Sequence, residues 1–318
     1  MFNKIIHRII LLVILLCAII LIKDQYSTIL LKHASYGMPA LIEQQHIHNL
    51  YIGSSMFRQG LDIHTLEENN SNQNYILAYN GNQPALETLQ LEYLLENNVT
   101  IDCLYVDMYV YSAWDTPKIS DEKLFLETDL HMKQKYWSLL KKAGKGTPAS
   151  FWHMFVTGNN ELLLTWPVSN ALINSQFYRG GSTATPSAAS EAVLQALELP
   201  KVSGEMDPIQ KQGLEQLIQL AQNNHIQLCF LETPKYTTLG NTRFYLDAME
   251  LYTNFLADQG VPCLLSEQTV SQIQVPSSAQ TYSFDHEQAN YYQDLIHLSY
   301  EGRCRFTKKI LESGCSIK

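Results

Sequence analysis

A serine hydroxyl becomes a nucleophile only when a neighbouring base can take its proton. Two short stretches of this chain hold the residue types such a reaction needs. The first is Gly53-Ser54-Ser55, at the end of the apolar run 48–53. A glycine lets the chain turn sharply, and a serine opening the next helix meets free backbone N–H groups and a positive helix end. Both features suit a hydroxyl attacking an ester and the oxyanion that forms. An ordinary serine N-cap gives the same residues. The second stretch is Asp294-Leu295-Ile296-His297-Leu298-Ser299, far along the chain. An Asp three residues before a His can set its oxygens beside Nδ1, leaving Nε2 free to face a serine. Asp-x-x-His also recurs by chance, and a lone His is often structural.

These residues need a frame that brings them together. Apolar runs lie at 48–53, 75–79, 101–111, 225–232 and 261–265, and amphipathic helix-length stretches at 84–97, 122–143, 207–223 and 242–259. Strands separated by helices predict an α/β fold, with a parallel sheet covered on both faces and ligands at the carboxyl ends of the strands. The stretch 118–200 is too long for a simple crossover. With its loop-like YRGGSTATPS at 178–187, it reads as a mid-chain helical insertion or cap. The expected organisation is a transmembrane segment over 1–24, a helical connector over 25–46, and one domain over 47–318.

The leader sets the cellular context. Residues Ile9 to Ile22 form fourteen apolar residues without interruption, and Lys4, Arg8 and Lys23 against Asp24 give the first 24 residues a net charge of +2. The stretch 5–22 would span roughly 27 Å at about 1.5 Å per residue, near the hydrocarbon thickness of a bilayer. A cleaved signal peptide has a similar apolar stretch, but Ile20, Leu21, Ile22 and Lys23 are too large for a small-x-small cleavage site. The leader therefore reads as an uncleaved single-pass anchor, with the body extracytoplasmic (periplasmic in a Gram-negative source). The whole chain carries −9, which leaves −11 on residues 25–318, a sign that argues against nucleic acid as a partner. Five cysteines outside the span, with no CxxC, exclude a zinc ribbon and a dense disulfide scaffold. Cys304 and Cys315 flank a C-terminal helical segment and could pair in an oxidising compartment. His46, His48, His64, His131 and His153 show no HExxH or paired spacing, so no metal is expected. No glycine-rich phosphate loop opens a helix, so no nucleotide cofactor is expected either.

Gly53-Ser54-Ser55 after the first strand, joined to Asp294-Leu295-Ile296-His297-Leu298 before the last helix, resembles the SGNH/GDSL hydrolase superfamily. The continuation DLIHLSYEGRCRFTKKIL, with Gly302 and Phe306-Thr307, is similar to that family's late block. The match covers roughly 47–117 and 205–313. It implies a flavodoxin-like three-layer sandwich with Ser55 as nucleophile, His297 as base and Asp294 as its orienter. It also implies an oxyanion hole from Ser55 and from the stretch Tyr79-Asn80-Gly81-Asn82. Gly81 is the foremost N–H donor there, and Asn-Gly is equally the usual turn pair. The family's third block presents an Asn, but Val106-Asp107-Met108-Tyr109-Val110-Tyr111 has none. Asn80, Asn82 or a backbone group would have to substitute, or the catalyst is weak or altered, since one oxyanion donor is worth about 10²–10³ in rate.

The span and the divergent third block resemble anchored members that accompany acyl transfer to cell-envelope polymers, as in D-alanyl transfer and alginate O-acetylation. That resemblance implies a serine esterase or O-acyltransferase acting on acylated glycans or other esters, with a membrane-bound acyltransferase as a possible partner. The alternative is a non-catalytic scaffold of the same fold that binds a glycan or a membrane acyltransferase. Trp114, Trp152, His153 and Trp166 could stack on sugar faces, or simply fill core.

Overall fold

The computed structural model describes residues 2–31, 36–69, 74–158, 177–196 and 205–313. Its centre is a six-stranded sheet of β1 (His46–Gly53), β2 (Asn74–Ala78), β3 (Thr100–Asp107), β6 (Gln227–Leu231), β7 (Cys263–Ser266) and β8 (Gln280–Tyr282). The order is β2-β1-β3-β6-β7-β8, and every neighbouring pair is parallel. A two-stranded antiparallel hairpin, β4 (Phe177–Tyr178) and β5 (Gly181–Ser182), forms a separate ladder against the β2 edge. The helices in chain order begin with α1 (Phe2–Leu30), α2 (Gly37–Gln44), α3 (Ser55–Gly60), α4 (Ile63–Asn69) and α5 (Pro84–Glu96). The middle of the chain adds α6 (Val110–Trp114), α7 (Lys123–Leu126), α8 (Leu130–Lys142), α9 (Pro148–Trp152) and α10 (Glu191–Gln195). The last are α11 (Pro208–Asn223), α12 (Thr237–Gly240), α13 (Arg243–Asp258), α14 (Glu267–Val270) and α15 (Tyr300–Ser313).

Helices on both faces explain why β2, β6 and β7 read as continuous apolar runs rather than alternating ones. One face of the sheet, with Leu50, Ile52, Leu104, Val106 and Phe230, packs on α5, α11 and α13 through Leu91, Leu217 and Met249. The other, with Tyr51, Ile76, Cys229 and Leu231, packs on α3 and α15 through Phe57, Phe306 and Ile310. This is the three-layer α/β sandwich expected. Ignoring the hairpin, the strand order is the flavodoxin-like one, and the order reverses between β1 and β3. Ligands in such sheets bind outside the strand ends at that reversal. Ser55 and Asp107 both lie there.

The structure shortens the third strand. β3 ends at Asp107 rather than running to 111, and the chain turns into α6 instead. The helical stretch 122–143 is also two helices, because Asp129 accepts the Met132 N–H at 2.8 Å and starts α8 afresh. The long β3–β6 crossover carries α6 to α11 and the hairpin, and Arg179 O accepts the Ile76 N–H at 3.0 Å on the outer edge of β2.

α1 does not stop where the apolar run does. Leu11, Leu12 and Ile22 are 67–68 % exposed, whereas Asp24, Ser27 and Leu31 are buried against the domain. Lys133 Nζ lies 3.4 Å from Asp24 Oδ1, and Lys23 donates to the carbonyls of Val156 (3.1 Å) and Gly158. Among the described residues α1 is the one helix long and apolar enough to cross a membrane.

A buried carboxylic acid ties α2 to the insertion. Tyr79 donates its hydroxyl to Glu127, and Glu127 lies so close to Gly37 that a side chain there would collide with it. Burial raises the Glu127 pKa to about 7, against the pull of the Tyr79 bond and the Lys123 charge. A carboxyl raised on folding stabilises most below its unfolded pKa, and that contribution is lost as the pH rises through the folded value. Glu127→Gln is therefore expected to raise the melting temperature at pH 8 by roughly 2–6 °C and to change it little at pH 4.5, as scanning calorimetry would show. An equal effect at both pH values would refute the assignment.

Candidate active site

β1 delivers Ser55 to the strand ends. Gly53 is needed at the turn because a Cβ there would lie 2.5 Å from the Cβ of Asp107. Ser54 is the N-cap of α3, its Oγ accepting the Met56 N–H at 3.2 Å, so the serine-cap reading is correct for Ser54. Ser55 follows as the first helical residue, partly exposed, with its hydroxyl free of that duty.

The loop before α15 brings the second block to it. Gly302 permits this, since a Cβ there would fall 2.0 Å from the Tyr291 carbonyl oxygen. Phe306 is fully buried, and Thr307 Oγ1 accepts the Asp62 N–H at 2.9 Å, fixing α15 beside the α3–α4 junction. In this frame Ser55 Oγ lies 2.9 Å from His297 Nε2, and His297 Nδ1 lies 2.8 Å from Asp294 Oδ2. The other oxygen of Asp294 accepts the N–H groups of Ile296 and His297, each at 2.8 Å. Burial alone would raise the Asp294 pKa. The hydrogen bonds from His297 and the two amides outweigh it, and the carboxyl is held below its usual value. The His297 side chain is 18 % exposed, so the dyad is reachable from solvent.

The oxyanion candidates separate. Asn82 is buried, and its two Nδ2 protons go to Gly53 O (3.2 Å) and Gln90 Oε1 (3.0 Å). It braces β1 and has no proton left for an oxyanion, which corrects the expectation for Asn82. Asn80 donates its backbone N–H to Asp121 Oδ2 at 3.1 Å, and its Oδ1 accepts from Arg58 at 3.2 Å, leaving only its Nδ2. Gly81 occupies a turn closed by Asn82 N–H to Tyr79 O at 3.1 Å, with φ +60°. Among the described residues, the N–H groups of Gly81 and Ser55 have no acceptor within the chain. The carboxylate of Asp107 stands at the end of β3 and cannot donate in its charged form.

Three residues near the site carry no motif. Arg58, one turn beyond Ser55, donates to Ala78 O and pairs with Asp121 at 3.3 Å, so it fixes the Gly81 turn to α3. Asp107 and Lys235 are buried beneath Ser54 and the Asp294 loop. Of the proposed sugar-stacking residues, Trp114 is core against Tyr252, while Trp152 and His153 are exposed, His153 bonding Glu122 at 2.8 Å. Trp166 lies outside the described residues. Cys315 lies outside the described residues, and so does any pairing of Cys304 with it.

No protein-family model and no curated protein matches the chain. Among solved structures, a proposed acylhydrolase from Bacteroides fragilis is 8% identical with a TM-score of 0.35, over 84% of this chain and 85% of that one. A proposed platelet activating factor from Streptococcus pneumonia is 10% identical with a TM-score of 0.37, over 95% and 97%. A GDSL-like lipase from Bacteroides thetaiotaomicron is 8% identical with a TM-score of 0.34, over 92% and 96%. Likeness at this level carries no functional argument.

Proposed function

We propose that this chain is a membrane-anchored, extracytoplasmic serine esterase or O-acyltransferase. The observation that carries the reading is the chain of short contacts from Ser55 Oγ to His297 Nε2 and from Nδ1 to Asp294. Neutral His297 takes the Ser55 proton as Oγ attacks the ester carbonyl. Asp294 fixes the tautomer and stabilises the imidazolium that forms. The N–H groups of Ser55 and Gly81 are the donors available to the tetrahedral oxyanion. Collapse expels the alcohol, which takes the proton back from His297, and leaves an acyl-serine. Water or a second hydroxyl then releases the acyl group by the same steps in reverse.

The apolar leader supports a site held near a bilayer, and the resemblance to anchored members favours acyl groups of cell-envelope glycans as substrate. A membrane-bound acyltransferase would be the natural partner of a transferase working there. The missing third-block Asn favours the scaffold alternative, in which the fold binds a glycan or that partner without turnover. A fluorophosphonate probe separates the two. Wild type is expected to be labelled and to cleave p-nitrophenyl acetate, and Ser55→Ala to do neither. Unlabelled wild type, or labelling that survives Ser55→Ala, would give precedence to the scaffold.

A further inference from the structure

With no Asn in the third block, the Gly81 turn carries a larger share of any oxyanion, so what holds that turn matters. β1 and β2 pair in parallel with Gly53 beside Ala78. The chain leaving β2 therefore runs alongside the chain that leaves β1 for Ser55. Tyr79 ties the two together, donating its N–H to Gly53 O at 3.1 Å. Gly81 has φ +60°, and a Cβ there would lie 2.9 Å from both Cβ and Oγ of Ser120, at the start of the insertion. Arg58 and Asp121 clasp the same turn. Arg58 stands on α3, three residues after Ser55. Its Nε and Nη2 donate to Ala78 O at 3.1 and 2.5 Å, and its Nη1 donates to Asn80 Oδ1 at 3.2 Å. Asp121 Oδ2 accepts the Asn80 N–H at 3.1 Å and the Arg58 Nη2–H at 3.3 Å, while its Oδ1 accepts the Lys123 N–H at 3.2 Å. Both side chains are largely buried, at 11% and 8% exposed.

These bonds fix the peptides on either side of the one that matters. The Asn80 N–H goes to Asp121 and the Asn82 N–H to Tyr79 O, which leaves the Gly81 N–H between them as the donor turned to no acceptor of the chain. A planar guanidinium that serves a carbonyl, an amide oxygen and a carboxylate together holds an orientation that a lysine cannot. We propose that Arg58 and Asp121 are positioning residues that hold the Gly81 N–H where the oxyanion on the Ser55 adduct forms, joining the nucleophile helix, the turn and the insertion in one clasp. The inference rests on the catalytic reading of Ser55. The oxyanion exists in the transition state and not in the bound ester, so loosening the clasp should lower kcat and leave KM in place.

The test uses the full chain in detergent, with kcat and KM on p-nitrophenyl acetate across pH and inhibition by phenylboronic acid, whose tetrahedral adduct with a serine mimics the oxyanion. A whole oxyanion donor is worth about 10²–10³ in rate, and a displaced one should cost about tenfold or more. Arg58→Met and Asp121→Asn are each expected to lower kcat by at least that factor, with KM within threefold of wild type. Boronate affinity should fall in parallel with kcat, and the midpoint of the pH–rate profile should stay where it is, because the His297–Asp294 pair is untouched. Arg58→Lys keeps the charge and one bond, so it should recover part of the loss, and it decides the matter if Arg58→Met fails to fold. Variants within twofold of wild type in kcat, a loss of kcat with boronate affinity unchanged, or a shifted pH midpoint would each overturn the clasp while leaving Ser55 as nucleophile. Wild type that neither reacts with a fluorophosphonate nor turns over would remove the catalytic reading and this inference with it.

Discussion

Asp294→Asn should lower kcat for ester cleavage by about 10⁴-fold in a protein that still folds, with His297→Ala losing at least as much. The reason lies in which atoms each oxygen of Asp294 serves. Oδ1 accepts two backbone N–H groups, from Ile296 and His297, and Oδ2 accepts from His297 Nδ1. An asparagine has one oxygen. If that oxygen stays with the two amides, its NH₂ faces Nδ1 and requires a lone pair there. The imidazole proton then sits on Nε2, the atom that must receive the Ser55 proton. If the side chain flips, its NH₂ meets two N–H donors. The first arrangement is the cheaper, and it is the unproductive tautomer. The same carboxyl gives a stability test with a definite sign. Asp294 titrates below its ordinary value, so its contribution is present above the unfolded pKa of about 3.9 and is lost as the pH falls through the folded one. Asp294→Asn should melt below wild type at pH 7 and alongside it at pH 2.5. A variant retaining more than a tenth of wild-type kcat would show that Asp294 does not orient the base.

The local chemistry of this site was readable because it is written in local spacing. Gly53 before Ser55, Asp294 three before His297, and Gly302 with Phe306-Thr307 are each short-range patterns. The structure gives every one a physical cause: an approaching Asp107, a shared loop, a carbonyl at Tyr291, a core slot and an N–H at Asp62. The principal strands were readable for the same reason, since burial on both faces leaves an apolar run. β8 was missed because Gln280-Thr281-Tyr282 is a three-residue edge with two exposed side chains, which has no such signature. The end of β3 was misjudged because apolar residues continue past Asp107, and only the tertiary setting turns them into α6. Asp107, Lys235 and Arg58 were out of reach for a different reason. Their partners are Ser54 for Asp107, His286 and Tyr292 for Lys235, and Asp121 for Arg58, contacts created by adjacent strand ends and by no repeat or spacing. Asn82 shows the converse limit. Its amide type suited an oxyanion donor, yet Gln90 and the Gly53 carbonyl consume both its protons.

Deleting residues 2–22 should convert the protein from a membrane-bound form that resists carbonate extraction into a soluble one in which Ser55, His297 and Asp294 stay together. Fourteen apolar residues from Ile9 to Ile22, at about 0.3–0.6 kcal/mol each for the larger ones, favour insertion by roughly 4–7 kcal/mol, a partition of about 10³–10⁵. The side chains of Leu11, Leu12 and Ile22 are exposed, and among the described residues of 2–22 only Ile20, itself partly buried, packs on the main core. The cut must fall before Lys23. Asp24 pairs with Lys133, whose side chain is 4% exposed, and Lys23 holds the carbonyls of Val156 and Gly158. A deletion of 2–30 removes both and leaves Lys133 buried without its carboxylate, a loss of about 3 kcal/mol or more. The shorter deletion should therefore melt close to the full-length protein and the longer one well below it. The same contacts bear on a cleaved leader, because processing near residue 25 would remove Asp24 and leave Lys133 unanswered in the mature domain. Cell fractionation with N-terminal sequencing decides between the two. An intact N-terminus in the carbonate-resistant pellet is expected, and a mature chain beginning near residue 25 in the soluble fraction would end the anchor reading.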